Sequence, residues 1–270
     1  MTSLGADGLT LAEIVSSREA FWDDRFSAFL LEALPTSTRS ILDVGCGIGT
    51  AAMRLLPLRA DLSYAGVDID AHRIAAAEAA VLERGLSERA RFFVGNAAEL
   101  SAEDASTDAV LCSMTLQHLR DPLTALREAR RVLSPDGVLL AVEPDNLASR
   151  WYFDGPLDDL DDAMGALRRA ARAARTPADS AIGPRVASLA LEAGFSSAAC
   201  VPYAVGALRR RTFADLAGDV RRIVAVLTRM AGSTDPSREV LVRLEALDRI
   251  HRDRDGFGGQ IAVVFRTLAR

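Results

Sequence analysis

The sequence contains no lysine, and all 32 of its basic residues are arginine. This absence excludes mechanisms that need a lysine amine, including Schiff-base and pyridoxal phosphate chemistry, a Walker-type phosphate loop and a tyrosine–lysine reductase pair. Aromatic residues are also scarce, at 6% of the 270 residues, whereas 49% are hydrophobic. The net charge of −5 argues against a nucleic acid substrate. This composition indicates one helix-rich α/β domain with elaborations.

The sequence has few cysteines and histidines and lacks long hydrophobic runs. The three cysteines (Cys46, Cys112 and Cys200) are far apart, so the sequence has neither a disulfide framework nor a zinc spacing. The three histidines show no metal-like clustering. No hydrophobic run approaches ~20 residues, and the N-terminus does not read as a signal peptide. We therefore expect a cytoplasmic protein without a bound metal or a membrane anchor.

A glycine-rich turn organises the first half of the chain. Residues 40–50 read Ser-Ile-Leu-Asp-Val-Gly-Cys-Gly-Ile-Gly-Thr. The apolar start predicts a buried strand, and residues 50–56 predict the start of a helix. The glycines allow a sharp turn and let a ligand lie against bare backbone. Asp43 can fix this loop or reach a cationic group of a ligand.

The spacing of this turn differs from the dinucleotide pattern Gly-x-Gly-x-x-Gly. Three interpretations stay open on the turn alone: a site for S-adenosylmethionine (SAM), a nucleotide or NAD site, and a plain structural turn.

A second short strand follows and ends at Asp68. Because adjacent parallel strands present their carboxyl ends side by side, Asp68 can accept both hydroxyls of a ribose there. That chemistry serves NAD and SAM equally. Asp70 is the predicted cap of the next helix.

Four motifs in order over residues 38–143 carry a family resemblance. They are the glycine turn, Asp68, the Gly95-Asn96-Ala97 join, and His118-Leu-Arg-Asp121-Pro122 followed by Arg131-Val-Leu-Ser-Pro-Asp-Gly137 and a strand that ends at Glu143. Together they resemble the class I SAM-dependent methyltransferases, in particular the quinone C-methyltransferase-like branch. The resemblance implies an α/β fold: a Rossmann-like, doubly wound seven-stranded sheet with an antiparallel last strand between strands five and six, plus helical cap insertions.

The resemblance also implies SAM as the cofactor and places its ligands at the strand ends. The family usually has an aspartate where this chain has Asn96, whose amide oxygen can still accept from an adenine amino group. The alternative, that Asn96 is only a turn residue, stays open. The implied cofactor-binding residues are Asp43, Gly45, Cys46, Gly47, Asp68, Ile69, Asn96, Ala97 and Ser113.

Methyl transfer from a sulfonium needs an acceptor held in line and shielded from water, with no metal and no covalent intermediate. A general base helps when the acceptor is a hydroxyl or a protonated amine. His118 is the best-placed candidate base or acceptor-positioning residue, although a structural hydrogen bond in the loop is the favoured alternative, and Glu143 and Asp145 come next. Trp22, Trp151 and Tyr152 are candidate acceptor-binding residues, with core packing as the alternative. The arginine-rich residues 168–175 predict a solvated helix face, or less readily a phosphate- or RNA-binding patch.

The predicted organisation is one core with insertions. It comprises an N-terminal helical cover (1–37), a SAM-binding core (38–143), a lid or acceptor-binding insertion (144–181), the core continued (182–204), a helical insertion (205–257) and a final core strand (258–270). The predicted function is methylation of a small-molecule acceptor in bacterial secondary or quinone-like metabolism, by a monomer or homodimer without a nucleic acid partner. The alternatives are an RNA or protein methyltransferase and a SAM-binding regulator without transfer activity.

Overall fold

The computed structural model describes residues 22–174 and 179–270, so residues 1–21 of the predicted N-terminal helical cover lie outside the described residues. No helix in the described ranges is long and apolar enough to cross a membrane. The first half contains helices α1 (Asp24–Leu31), α2 (Thr50–Leu55), α3 (Ala71–Glu83) and α4 (Pro122–Val132). Its strands are β1 (Ser40–Val44), β2 (Ser63–Asp68), β3 (Ala90–Val94), β4 (Thr107–Ser113) and β5 (Leu133–Phe153).

The second half adds four helices and three strands to the described part of the chain. The helices are α5 (Asp158–Ala174), α6 (Val186–Glu192), α7 (Phe213–Ala231) and α8 (Asp235–His251). The strands are β6 (Ala198–Val205), β7 (Arg209–Thr212) and β8 (Asp255–Ala269).

The sheet has the predicted topology, with the strand order β3-β2-β1-β4-β5-β8-β6. Strands β1 to β5 pair in parallel, and β8 is antiparallel to both of its neighbours, β5 and β6. These seven strands confirm the predicted fold class. The short strand β7 also pairs with β8 and makes an eighth strand. Its sequence, Arg-Arg-Arg-Thr, has no apolar alternation from which a strand could be predicted.

Two aspartates cap the helices that follow the strand ends. Asp70 accepts hydrogen bonds from the backbone amides of His72 (2.9 Å) and Arg73 at the start of α3, as predicted. Asp121 accepts from the amide of Thr124 at 3.1 Å, with Pro122 at the first position of α4. Each cap stabilises its helix by about 1 kcal/mol. The caps fix where the helices leave the carboxyl edge of the sheet.

Trp22 belongs to the core on one face of the sheet. Its ring meets Phe26 edge-on, with 5.0 Å between centroids, and both side chains are buried. Phe26 in turn packs against Tyr203 of β6. The expectation that Trp22 contacts an acceptor is therefore replaced by its alternative, core packing. The opposite face of the sheet buries a second cluster around Val110, Leu126 and Leu139.

Strand β5 does not stop at Glu143, where the sequence predicts the start of an insertion. It continues to Phe153 and pairs with β8, from Arg150 opposite Ile261 to Phe153 opposite Gly258. The register shifts between Asp145 and Arg150, so residues 146–149 form a bulge. Within the predicted lid, Asp158–Ala174 form α5. The predicted domain boundaries stay a prediction.

Helices α5, α7 and α8 pack together on the extended arm of β5, and we call them the helical cap. Trp151 is buried in the apolar cluster that joins the cap to this arm. Its expected role in acceptor binding is therefore also replaced by core packing. Tyr152, on the other face of the strand, is partly buried. The remaining members of the cluster include Phe153, Leu160, Leu167, Phe213, Leu216 and Val220.

Candidate cofactor-binding site

The turn after β1 can be formed only by residues that tolerate a left-handed backbone. Gly45, Gly47 and Gly49 have φ angles of 77°, 56° and 75°. Side chains are disfavoured in this region, and glycine is not. Gly45 is restricted further, because a Cβ atom there would lie 2.3 Å from Oγ1 of Thr115. The turn therefore presents bare backbone at the start of α2.

Asp68, at the end of β2, is joined directly to this turn. Its Oδ2 accepts a hydrogen bond from the backbone N–H of Gly47 at 2.9 Å, and its Oδ1 accepts from the N–H of Asp70 at 3.0 Å. The carboxylate is 7% exposed. The carboxyl ends of β1 and β2 therefore lie side by side, as expected for adjacent parallel strands, with a hydrogen-bond acceptor beside the glycine backbone. The role of Asp68 as a ribose ligand stays a prediction.

Asp43 lies beneath the turn, where it accepts a hydrogen bond from the hydroxyl of Tyr64. Burial, together with the charge of Asp43, raises the pKa of Tyr64, so the phenol keeps its proton at neutral pH. Tyr64 is not among the predicted site residues; the available signal was a tyrosine in a buried strand, whose hydroxyl needs a partner. Asp43 and Tyr64 join β1 to β2 below the site.

Cys46 is a neutral thiol in this turn. Burial raises its pKa, and the nearby carboxylates of Asp43 and Asp68 raise it further. A thiolate is the nucleophilic form of cysteine, so Cys46 is unsuited to covalent catalysis. The place of Cys46 among the cofactor-binding residues stays a prediction.

The ends of β2 and β3 offer an apolar side chain and an amide. Ile69 is 71% exposed directly after Asp68. Asn96 is exposed, and its Oδ1 accepts a hydrogen bond from the N–H of Ala98 at 3.0 Å. This bond fits the interpretation of Asn96 as a turn residue, although an amide oxygen has a second lone pair for a ligand. Ala97, the next residue, is partly exposed.

The end of β4 carries an unsatisfied hydroxyl and a strained residue. Oγ of Ser113 is buried and has no hydrogen-bond partner in the described structure. Met114 has a φ of 58°, which is uncommon for a residue with a side chain and typical of ligand-binding segments. An orphaned donor at the end of β4, the strand that pairs with β1, fits a polar cofactor such as SAM.

Glu143 is completely buried at the carboxyl edge of β5. Its Oε1 accepts from the N–H groups of Thr115 (2.7 Å) and Leu116 (2.8 Å), and its Oε2 accepts from that of Gln117 (3.2 Å). This geometry differs from the expected base, because the carboxylate is occupied by backbone amides below the surface. Glu143 is a positioning residue for the short 3-10 turn Leu116–His118.

His118 ends that turn and is exposed, so it stays the candidate base. Asp145 is partly buried, and its Oδ1 accepts from the N–H of Leu147 at 3.0 Å in the bulge of β5. Thr115, which the sequence analysis missed, packs against Gly45 and so joins the turn to the glycine loop. Within residues 22–174 and 179–270, no group of three His, Cys, Asp or Glu side chains could hold a metal ion.

Comparisons with known proteins agree with this geometry. The sequence profile of the methyltransferase domain matches residues 42–141. The probable methyltransferase ltbC of Aspergillus luteorubrus is 33% identical over 63% of this chain and 61% of its own length. The 27-O-demethylrifamycin SV methyltransferase of Amycolatopsis mediterranei is 32% identical over 44% of this chain and 47% of its own length. The chain thus spans about half to three fifths of the length of these relatives.

A solved structure shows the same fold. Phosphoethanolamine N-methyltransferase 2 of Haemonchus contortus, in complex with SAM, superposes with a TM-score of 0.54 at 18% identity. The match covers 96% of this chain and 57% of that one. The domain match, the relatives and the strand order all support a methyltransferase domain. Residues 42–141 form a methyltransferase domain, and the strand order around them is the one expected of the class I SAM-dependent methyltransferases.

Proposed function

We propose that the protein transfers a methyl group from SAM to a small-molecule acceptor. The observation that carries the proposal is the hydrogen bond from the N–H of Gly47 to Asp68, which brings a bare glycine turn and the Asp68 carboxylate together at one edge of the sheet. The 27-O-demethylrifamycin SV methyltransferase is named for a small-molecule substrate, which supports an acceptor of that class. We extend the proposal to bacterial secondary or quinone-like metabolism.

Each group at the edge has a proposed task. SAM, when bound, supplies an activated methyl group on its sulfonium. Asp68 accepts the ribose hydroxyls, and the Ser113 hydroxyl and the glycine turn hold polar atoms of the cofactor. The turn that Glu143 anchors positions His118 to accept a proton from the acceptor. The helical cap excludes water from the edge, which leaves catalysis to proximity and orientation.

Replacement of Asp68 by asparagine is expected to weaken binding of S-adenosylhomocysteine about tenfold. The amide keeps the shape but loses a charge-assisted acceptor, which is worth about 1.5–3 kcal/mol. Isothermal titration calorimetry of both proteins measures the change. Asp70→Asn is the matched control, because asparagine caps α3 as well as aspartate does and affinity should not change. Absence of heat with either SAM or S-adenosylhomocysteine in the unmodified protein contradicts the proposal.

Incubation with methyl-labelled SAM separates the small-molecule activity from its alternatives. Label should enter the low-molecular-weight fraction of a bacterial metabolite extract and not its RNA or protein. Label in a macromolecular fraction contradicts the proposed acceptor class. Binding of cofactor without transfer into any fraction identifies a regulator instead.

Replacement of His118 by alanine is expected to lower the turnover number about 100-fold, the scale of general-base catalysis. The affinity for S-adenosylhomocysteine should stay unchanged, because the positions predicted to bind the cofactor are intact. His72→Ala is the control, because His72 is likewise exposed but lies on α3. Full activity of His118→Ala would remove it as the base.

A further inference from the structure

One arginine of α5 is buried with unused hydrogen-bond donors. Arg168 is only 4% exposed, which makes the predicted solvated face wrong at this position and right at its exposed neighbour Arg169. Nη1 of Arg168 donates to the backbone carbonyl of Ser149 at 3.1 Å. Its Nη2 is buried without any hydrogen-bond partner in the described part of the chain.

The charge of Arg168 is not neutralised by an ion pair in the described structure. Asp161, two helical turns earlier, is the carboxylate whose charge acts on it, but the oxygens of Asp161 accept from the N–H of Trp151 (2.8 Å) and Nε of Arg150 (3.2 Å). Burial lowers the pKa of Arg168 to about 10, so the side chain is still a cation at neutral pH. A buried charge without a counter-charge is costly, and an unsatisfied buried group calls for an explanation such as a bound ligand or a catalytic role.

Arg168 is linked through its neighbours to the bulge of β5 and to the turn that carries His118, the candidate base. Ser149, its partner, belongs to the bulge that follows Glu143 on β5. One turn further along α5, Arg172 pairs with Asp179 at 2.8 Å, and the N–H of Asp179 donates to the carbonyl of Gln117 at 2.9 Å. These contacts tie the second half of α5 to the turn that carries His118.

We propose that Arg168 binds a carboxylate of the methyl acceptor, an inference that rests on the proposed function. A guanidinium has five N–H donors, and among the described residues only one of them has a hydrogen-bond partner, the carbonyl of Ser149. The remaining donors of Nη1 and Nη2 form the planar fork that matches the two oxygens of a carboxylate. The acceptor class is thus a small molecule with a carboxylate, held between the helical cap and the bulge of β5.

The stability of Arg168→Met tests the proposal without any ligand. If Arg168 serves to bind a ligand, its unpaired buried charge destabilises the ligand-free protein. Replacement by methionine, which has a similar length, should therefore raise the melting temperature by about 2–4 °C. Arg169→Met is the matched control on the same helix and should change the melting temperature little, because its side chain is exposed. A lower melting temperature for Arg168→Met than for the control would show a structural role and overturn the proposal.

Two probes of the same shape, one anionic and one neutral, test whether the proposed site prefers a carboxylate. Benzoate should bind the protein saturated with S-adenosylhomocysteine at least tenfold more tightly than benzamide, measured by calorimetry. Arg168→Gln should abolish this preference, and Arg169→Gln should keep it. Equal binding of the two probes, no saturable benzoate binding, or a preference that survives in Arg168→Gln would each overturn the proposal.

The cofactor has a carboxylate of its own, and a further titration distinguishes the two sources. Arg168→Gln should leave the affinities for S-adenosylhomocysteine and for 5′-methylthioadenosine, which lacks the amino acid part, unchanged. A loss confined to S-adenosylhomocysteine would assign the guanidinium to the cofactor and overturn the acceptor site. Failure of the unmodified protein to bind either nucleoside would instead contradict the proposed function.

Discussion

Replacement of Glu143 by alanine is expected to destabilise the protein by about 3–5 kcal/mol, because three buried N–H groups lose their acceptor at once. The affected amides are those of Thr115, Leu116 and Gln117. The turn that carries His118 should lose its fixed position, so the turnover number should fall as well. Urea denaturation measures the free energy of unfolding, and the midpoint should decrease with little change in slope.

Two variants make the effect of Glu143→Ala specific. Glu143→Gln keeps one acceptor oxygen but turns an amide group toward an N–H, so a smaller loss of about 1–3 kcal/mol is expected. Glu103→Ala, at an exposed position, should change stability by less than about 0.5 kcal/mol. A stability of Glu143→Ala close to that of Glu103→Ala would refute the positioning role of Glu143.

Replacement of Gly45 by alanine is expected to cost about 2–4 kcal/mol of folding free energy, since strain in the left-handed region adds to overpacking. The new Cβ would lie 2.3 Å from Oγ1 and 2.9 Å from Cβ of Thr115, which is too close without a shift of that residue. The shift moves the turn beside the cofactor site, so the affinity for S-adenosylhomocysteine should also fall at least tenfold.

The variant Gly85→Ala separates the loss of stability due to backbone strain from the loss due to overpacking against Thr115. Gly85 has a φ of 67°, close to that of Gly45, but a Cβ there would meet nothing within 4 Å. Only the backbone strain remains, about 1 kcal/mol, and Gly85 lies beyond α3, outside the predicted site. Equal losses of stability in Gly45→Ala and Gly85→Ala would show that contact with Thr115 is unimportant.

The sequence predicted well the features that depend on local chemistry. The glycine turn, the ends of β1 and β2, and the caps at Asp70 and Asp121 follow from backbone preference and short-range hydrogen bonds. The antiparallel last strand came from the family resemblance, because periodicity alone does not specify a strand's partner. These features fix the edge of the sheet where the cofactor site lies.

Features that depend on distant partners could not be predicted from the sequence. The stretch Glu143-Pro-Asp-Asn reads as a loop, yet β5 continues because residues 258–261 of β8 supply its hydrogen bonds. The burial of Trp151 and Arg168 likewise depends on how α5 packs against the arm of β5. A charged side chain gives the same sequence signal whether it is a base, an anchor for amides or a solvated group, so Glu143 was assigned the wrong task.

Strand β8 pairs with β5 and β6 along the core and with β7 and the β5 arm beneath the helical cap. During synthesis, the ribosome completes β1 to β5 long before it reaches these residues. Until then β5 is an open edge, which can pair with strands of other chains. Nascent chains therefore expose this edge until residues 255–269 emerge, and a chain cut before Asp255 should aggregate rather than fold into a smaller protein.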